Sequence, residues 1–133
     1  MNISQSAYDK VMQSWWLLKL TYGLVFVIAG ADKFFNLITS WPKYLSPVIA
    51  QMIPLTVEHI MVGTALFEIA LGILILTVAT RMGAYVAMLW LLVMAGNLVT
   101  FGIYNDIAIR DAVMAIGALV LALLTDVHEE RKQ

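Results

Sequence analysis

The sequence predicts an all-α fold: a four-helix transmembrane bundle with a short interfacial helix in the loop between helices 1 and 2. Three observations predict it. Of 133 residues, 62% are hydrophobic and 13% charged, with a mean hydropathy of +0.86, whereas a soluble domain is ~45–50% apolar and ~25% charged. The apolar residues gather in four stretches of about 18–22 residues, each enough for a helix to cross ~30 Å of hydrocarbon. The apolar–polar alternation of strands is absent, and helices satisfy their own backbone in lipid. One membrane domain over residues 1–133 is expected. There is no cysteine, which excludes disulfides, thiolate metal sites and iron–sulfur ligation. A net charge of −1 without any Lys/Arg run gives no reason to expect a nucleic-acid partner.

Ahead of the first span, Tyr8, Val11, Met12 and Trp15 share one helical face, predicting a small interfacial helix over residues 1–14. The first span runs from about Leu17 to Phe35, led by Trp15 and Trp16. Lys19, Asp32 and Lys33 interrupt it, and the clean interior from Leu20 to Ala31 is too short to span alone. Lys19 and Lys33 are therefore expected to snorkel to opposite interfaces. Ala29-Gly30-Ala31 fits a signal-peptidase site, but the stretch before it starts late and carries little positive charge, so an uncleaved span is expected.

The loop from about Asn36 to Val57 holds all three prolines. Ser46-Pro47 reads as a helix start and Pro54 as a stop, predicting a short helix over Ser46–Ile53. Val48, Ile49, Met52 and Ile53 are too apolar for a free loop, so this helix should lie on the bilayer, anchored by Trp41 and Tyr44. The second span, Ile60 to about Ala79, carries one charge, Glu68. Thr80-Arg81-Met82 is predicted as a tight turn, followed by the third span, Gly83–Tyr104. Asn105-Asp106 forms the next turn, with Asp106 a candidate N-cap, and the fourth span covers Ile107–Leu124. Asp126–Gln133 reads as a solvated charged tail, where Arg131 and Lys132 can meet anionic lipid.

Four spans put both termini on one side. That side carries Lys10, Lys19, Arg81, Arg131 and Lys132 against Lys33, Lys43 and Arg110 opposite. The bias predicts a multi-pass protein of the cell inner (cytoplasmic) membrane with both termini cytoplasmic.

Intramembrane ionisable residues are functional candidates by default, because each is costly in hydrocarbon unless paired or wetted. Asp32, Lys33, Glu58, His59, Asp106, Arg110 and Asp111 fall near one interface. Arg110 and Asp111 lie about 5 Å inside helix 4, Asn97 about 10 Å inside helix 3 and Glu68 about 12–16 Å inside helix 2, near the midplane. Glu68 shares its helical face with Thr64, Ala65 and Gly72, small neighbours that mark a helix–helix interface. Two readings follow. Glu68, Asn97, Arg110, Asp32 and Lys33 form a headgroup pocket or proton path; or Glu68 is a buried strut, neutral or paired to Arg110, Lys33 or Asn97. His59 and His128 lie at opposite ends of the bundle, about 30 Å apart across the hydrocarbon, so they cannot share a haem iron. No catalytic motif and no metal-ligand cluster is apparent.

Two stretches carry a resemblance. Gly23-Leu24-Val25-Phe26 with Ala29-Gly30 and Lys33-Phe34, then Glu68, Gly72 and Thr80-Arg81-Met82-Gly83-Ala84, resemble the motifs of the DoxX-like family of small four-helix membrane proteins. The resemblance covers about residues 17–125. It implies four spans and a role as the small membrane subunit of a quinone-linked oxidoreductase complex, not catalytic alone. The implied partners are the lipid bilayer and larger redox subunits; no cofactor is covalently bound, and quinone is the candidate ligand, its ring near Glu68 and Asn97. The alternatives are a carrier for a small lipophilic ligand, or a purely structural subunit of a larger assembly.

Overall fold

Every α-helix that begins with a β-region Ser or Thr here begins for the same reason: the side-chain oxygen takes a backbone N–H that the first turn leaves without a partner. The computed structural model describes residues 4–132, with side chains from Ser4 to Glu130. Ser4 caps α1 (Gln5–Asp32), Ser46 caps α2 (Pro47–Met52) and Thr56 caps α3 (Val57–Leu76). α4 (Thr80–Phe101) and α5 (Asn105–Lys132) complete the chain, with a 3₁₀ turn at Trp41–Tyr44. No strand occurs among the described residues, and α1, α3, α4 and α5 are long and apolar enough to cross a membrane. α4 stops at Gly102, whose φ of +87° is open to glycine without a Cβ penalty.

The long helices alternate in direction, leaving a loop end (Asp32, the 33–56 connection, Asn105) and a turn end (Thr77–Ala79, Ser4, the α5 terminus). α1 packs most closely on α3, and α4 on α5. The first pair meets backbone to backbone: a Cβ on Gly72 would lie 2.6 Å from the Gly23 carbonyl oxygen. The second pair closes on Ala84, Ala87, Ala115, Ala118 and Ala122, all buried. These alanines join Trp15, Tyr22, Phe26, Leu71, Ile75, Leu91 and Leu121 in one core that fills the turn-end half of the bundle. A smaller cluster, Ala95, Leu98 and Ala108 with Tyr44, Tyr104 and Ile107, sits at the loop end. Leu17, Ile28, Leu66, Ile73, Leu89, Val113, Ile116 and Leu123 point outward and exposed. Such a continuous apolar exterior is foreign to soluble monomers.

Several expectations are corrected. No separate interfacial helix precedes the first span: from Gln5 onward α1 is one continuous helix, and Met1–Ile3 lie outside the described residues. The α3–α4 turn is Thr77–Ala79, three residues earlier than predicted, and Thr80–Met82 begin α4. Asn105 and Asp106 likewise belong to the first turn of α5 and not to the connection. The charged tail continues α5 to Lys132; within it Arg81 pairs with Asp126 at 2.6 Å and Glu129 at 3.0 Å. His128 stacks on Trp15 with ring centroids 4.0 Å apart, and Trp15 Nε1 donates to Thr125 Oγ1 at 2.8 Å. The side chains of Arg131 and Lys132 lie outside the described residues.

Of the two lysines expected at opposite ends of the first span, Lys33 does not point outward while Lys19 reaches the turn end. Lys19 is buried and donates to the Thr77 carbonyl at 3.4 Å, near the C-terminus of α3. Lys33, at the C-cap of α1, turns back into the bundle. Helical side chains lean toward the N-terminus of their own helix. A lysine at the C-terminal end of a span therefore points inward, away from the nearer interface.

Candidate functional site

Between the two helix pairs, in the loop-end half, lies a cavity of about 570 Å³. Its floor is the core already described, through Phe26, Leu91 and Met114. Tyr22 closes the path below by donating from its hydroxyl to the Met114 carbonyl at 2.6 Å. Its roof is the 33–56 connection, which contributes Ile38, Trp41, Tyr44, Leu45, Ile49 and Ile53. Its walls come from Val25 and Ala29 of α1, Met61 and Thr64 of α3, Trp90 and Met94 of α4, and Ile107 of α5. The space is mostly apolar and only partly open to the surroundings.

Glu68 and Lys33 form the polar centre of this wall. Lys33 Nζ lies 2.5 Å from Glu68 Oε2, and the side chains are 6% and 7% exposed. The other carboxylate oxygen accepts from Trp90 Nε1 at 3.0 Å. The ammonium also sits 4.4 Å from the centre of the Trp41 ring. Ala65 and Gly72, one turn on either side of Glu68, are buried against α1, as their small size requires. Each charge thus has a counter-charge and a second partner, the condition on which buried ions persist.

The remaining predicted site residues divide by task. Asp32 accepts from the backbone N–H of Leu37 at 2.9 Å and of Ile38 at 3.0 Å, and from Trp41 Nε1 at 2.8 Å. Its carboxylate is occupied in folding the roof. Asn97 does the same from the far side: its Oδ1 accepts from Ser46 N at 2.9 Å and its Nδ2 donates to the Tyr44 carbonyl at 2.7 Å. Asn97 lines the cavity but binds the roof, not Glu68. Arg110 does not reach Glu68 either. It leans toward the start of α5, is 71% exposed, and lies 3.9 Å from Asp106 one turn back. Trp41 and Tyr44, expected as membrane anchors, turn inward instead and line the cavity; Tyr44 packs edge-on against Tyr104 at 4.9 Å.

Sequence reasoning missed three members of this site. Trp90 was not singled out, yet an indole N–H buried mid-helix needs an acceptor, and that need was the available signal. Trp41 gave no signal of its inward turn. Asp111 was noted for depth but not singled out; it lines the cavity, half-buried, with no hydrogen bond or ion pair among the described residues. No group of three or more His, Asp and Glu that could hold a metal ion occurs among the described residues.

The largely apolar walls, with Lys33 and Tyr44 among the lining residues, have the composition that a lipophilic molecule with a hydrogen-bond-accepting head requires. Compared with protein-family models, curated proteins and solved structures, the chain matches none.

Proposed function

We propose that this chain is a small integral membrane subunit associated with a quinone-linked oxidoreductase, and that its cavity holds a quinone or another lipophilic molecule. The observation that carries the reading is the cavity of about 570 Å³, mostly apolar, with the Lys33–Glu68 pair, its side chains largely buried, in its wall. Lipophilic-ligand sites have this composition: apolar walls with a few fixed polar groups that orient the head. A bound quinone supplies two-electron, two-proton redox chemistry. The chain's own residues would hold it: Lys33 and Tyr44 would donate to its oxygens, Trp41 and Trp90 would flank it, and Glu68 keeps Lys33 in place. The closed floor at Tyr22 argues against a channel.

In this reading the protein sits in the inner membrane with both termini cytoplasmic and α2 at the external surface. The two faces of α2 support that place. Ile49 and Ile53 line the cavity, while Val48 and Met52 are exposed on the opposite side, where lipid would cover them. The DoxX-like resemblance supplies the oxidoreductase setting. A second reading, a free-standing carrier of lipophilic molecules, draws on the same largely apolar lining with its few polar groups.

Native purification in mild detergent, with mass spectrometry of bound proteins and extracted lipids, separates them. Larger redox subunits with co-extracted quinone are the expected result. Recovery of the chain alone with a lipophile leaves the carrier. Recovery with neither protein nor lipophile overturns both.

A further inference from the structure

The polar groups around the cavity are unequally engaged. Glu68 has both oxygens occupied, by Lys33 and by Trp90. Asn97 and Asp32 are committed to the roof, and the Thr64 hydroxyl donates to its own helix at Met61 O. Arg110 lies at the cavity's edge, largely exposed and beside Asp106. Asp111 alone among the cavity's charged side chains brings acceptor oxygens with no hydrogen bond or ion pair to a described residue. The neighbouring Arg110 acts on this half-buried carboxylate only from beyond ion-pair distance, which leaves part of its burial cost unmet, and a ligand that brings a donor reduces it.

Resting on the reading of the cavity as a lipophile site, we infer that its ligand carries a protonated amine, which Asp111 receives while the apolar body fills the space toward Phe26 and Met114. Charge favours this head over an anion, because Lys33 is paired with Glu68 and Arg110, which also lines the cavity, is paired with Asp106. The walls agree. The Trp41 ring already accepts an ammonium, that of Lys33 at 4.4 Å, so the aromatic lining is compatible with a cation. An ammonium at Asp111 gains the charge-assisted hydrogen bond that a neutral head cannot give.

The test uses the full chain in phosphatidylcholine nanodiscs, which carry no net lipid charge, with affinity read from the change in tryptophan emission, Trp41 and Trp90 being the two tryptophans that line the cavity. The probes are N,N-dimethyldodecylamine, neutral dodecanol and decylubiquinone. Asp111→Asn keeps the shape of the side chain and removes its charge; Asp106→Asn removes an exposed charge at the same end. Dimethyldodecylamine is expected to bind the parent chain and Asp106→Asn equally, and Asp111→Asn at least tenfold more weakly, while dodecanol is indifferent to both substitutions. Equal amine affinity in the parent and Asp111→Asn overturns the inference. Decylubiquinone binding without amine selectivity also overturns it and leaves the quinone reading standing. Asp111-dependent amine binding with no decylubiquinone binding upholds the inference and removes quinone from the proposed function.

Discussion

Lys33 and Glu68 each occupy a position that hydrocarbon alone would forbid, and each is the condition of the other's charge. Removing one leaves the second buried without a counter-ion, a loss of about 3–5 kcal/mol by analogy with buried pairs elsewhere. Lys33→Met is therefore expected to lower resistance to unfolding in mild detergent by about 3 kcal/mol. The double variant Lys33→Met with Glu68→Met should recover most of that loss, and additive losses would show that the two side chains are not coupled. The inward direction of Glu68 was legible in the sequence, because Thr64, Ala65 and Gly72 make its face too small for lipid contact. Its partner was legible only as one of three candidates. Choosing Lys33 over Arg110 depends on the lean of each side chain toward its own helix start, which carries Lys33 down to Glu68 and Arg110 away from it. Asn97 was read correctly as pointing inward, but what it holds lies 51 residues away in Ser46. No local pattern records that pairing.

The roof over the cavity is held at two points, Asp32 on α1 and Asn97 on α4, each binding backbone that no regular element would otherwise satisfy. Asn97→Ala deletes two hydrogen bonds at a buried site, about 1–3 kcal/mol for the groups left behind. Hydrogen exchange is expected to quicken across Tyr44–Ile53 while the α4–α5 alanine core stays protected; uniform protection would mean that Asn97 does not hold the roof. The α2 helix itself was plain from Ser46-Pro47 and Pro54. Its two-sided apolar character makes a sharper test: single cysteines at Ile49 and Met52 should both resist a charged aqueous thiol reagent, and only Met52 should react with a lipid-soluble one. The α3–α4 turn was misplaced because Val78 and Ala79 continue the apolar run while no glycine or proline marks the break. What ends α3 is instead supplied by hydroxyls: Thr77 Oγ1 donates to Ile73 O at 2.8 Å and Thr80 Oγ1 to Ile75 O at 2.8 Å. Lys19 adds a third donor from another helix.

Across the whole molecule, four apolar spans were the most legible feature, because composition alone demands them. The hollow half was not legible, since it arises from how the α1–α3 pair stands off from α4 and α5. The five-to-three Lys/Arg bias predicts that a reporter fused after Gln133 lies in the cytoplasm; an externally accessible reporter would reverse the orientation and leave the helix count intact. The helices are also unequal in length. At ~1.5 Å per residue the 20 residues of α3 reach about 30 Å, and the 28 of α1 and of α5 about 42 Å. The shorter α3–α4 hairpin, fixed at its turn by Lys19 and the threonines, sets how thick a bilayer the fold tolerates. Lipids with acyl chains much longer than a 30 Å core would drag that polar turn into hydrocarbon, and much shorter ones would bare α3 at its ends. Resistance to unfolding should therefore peak at an intermediate acyl-chain length, with α3 acting as the molecule's gauge of its membrane.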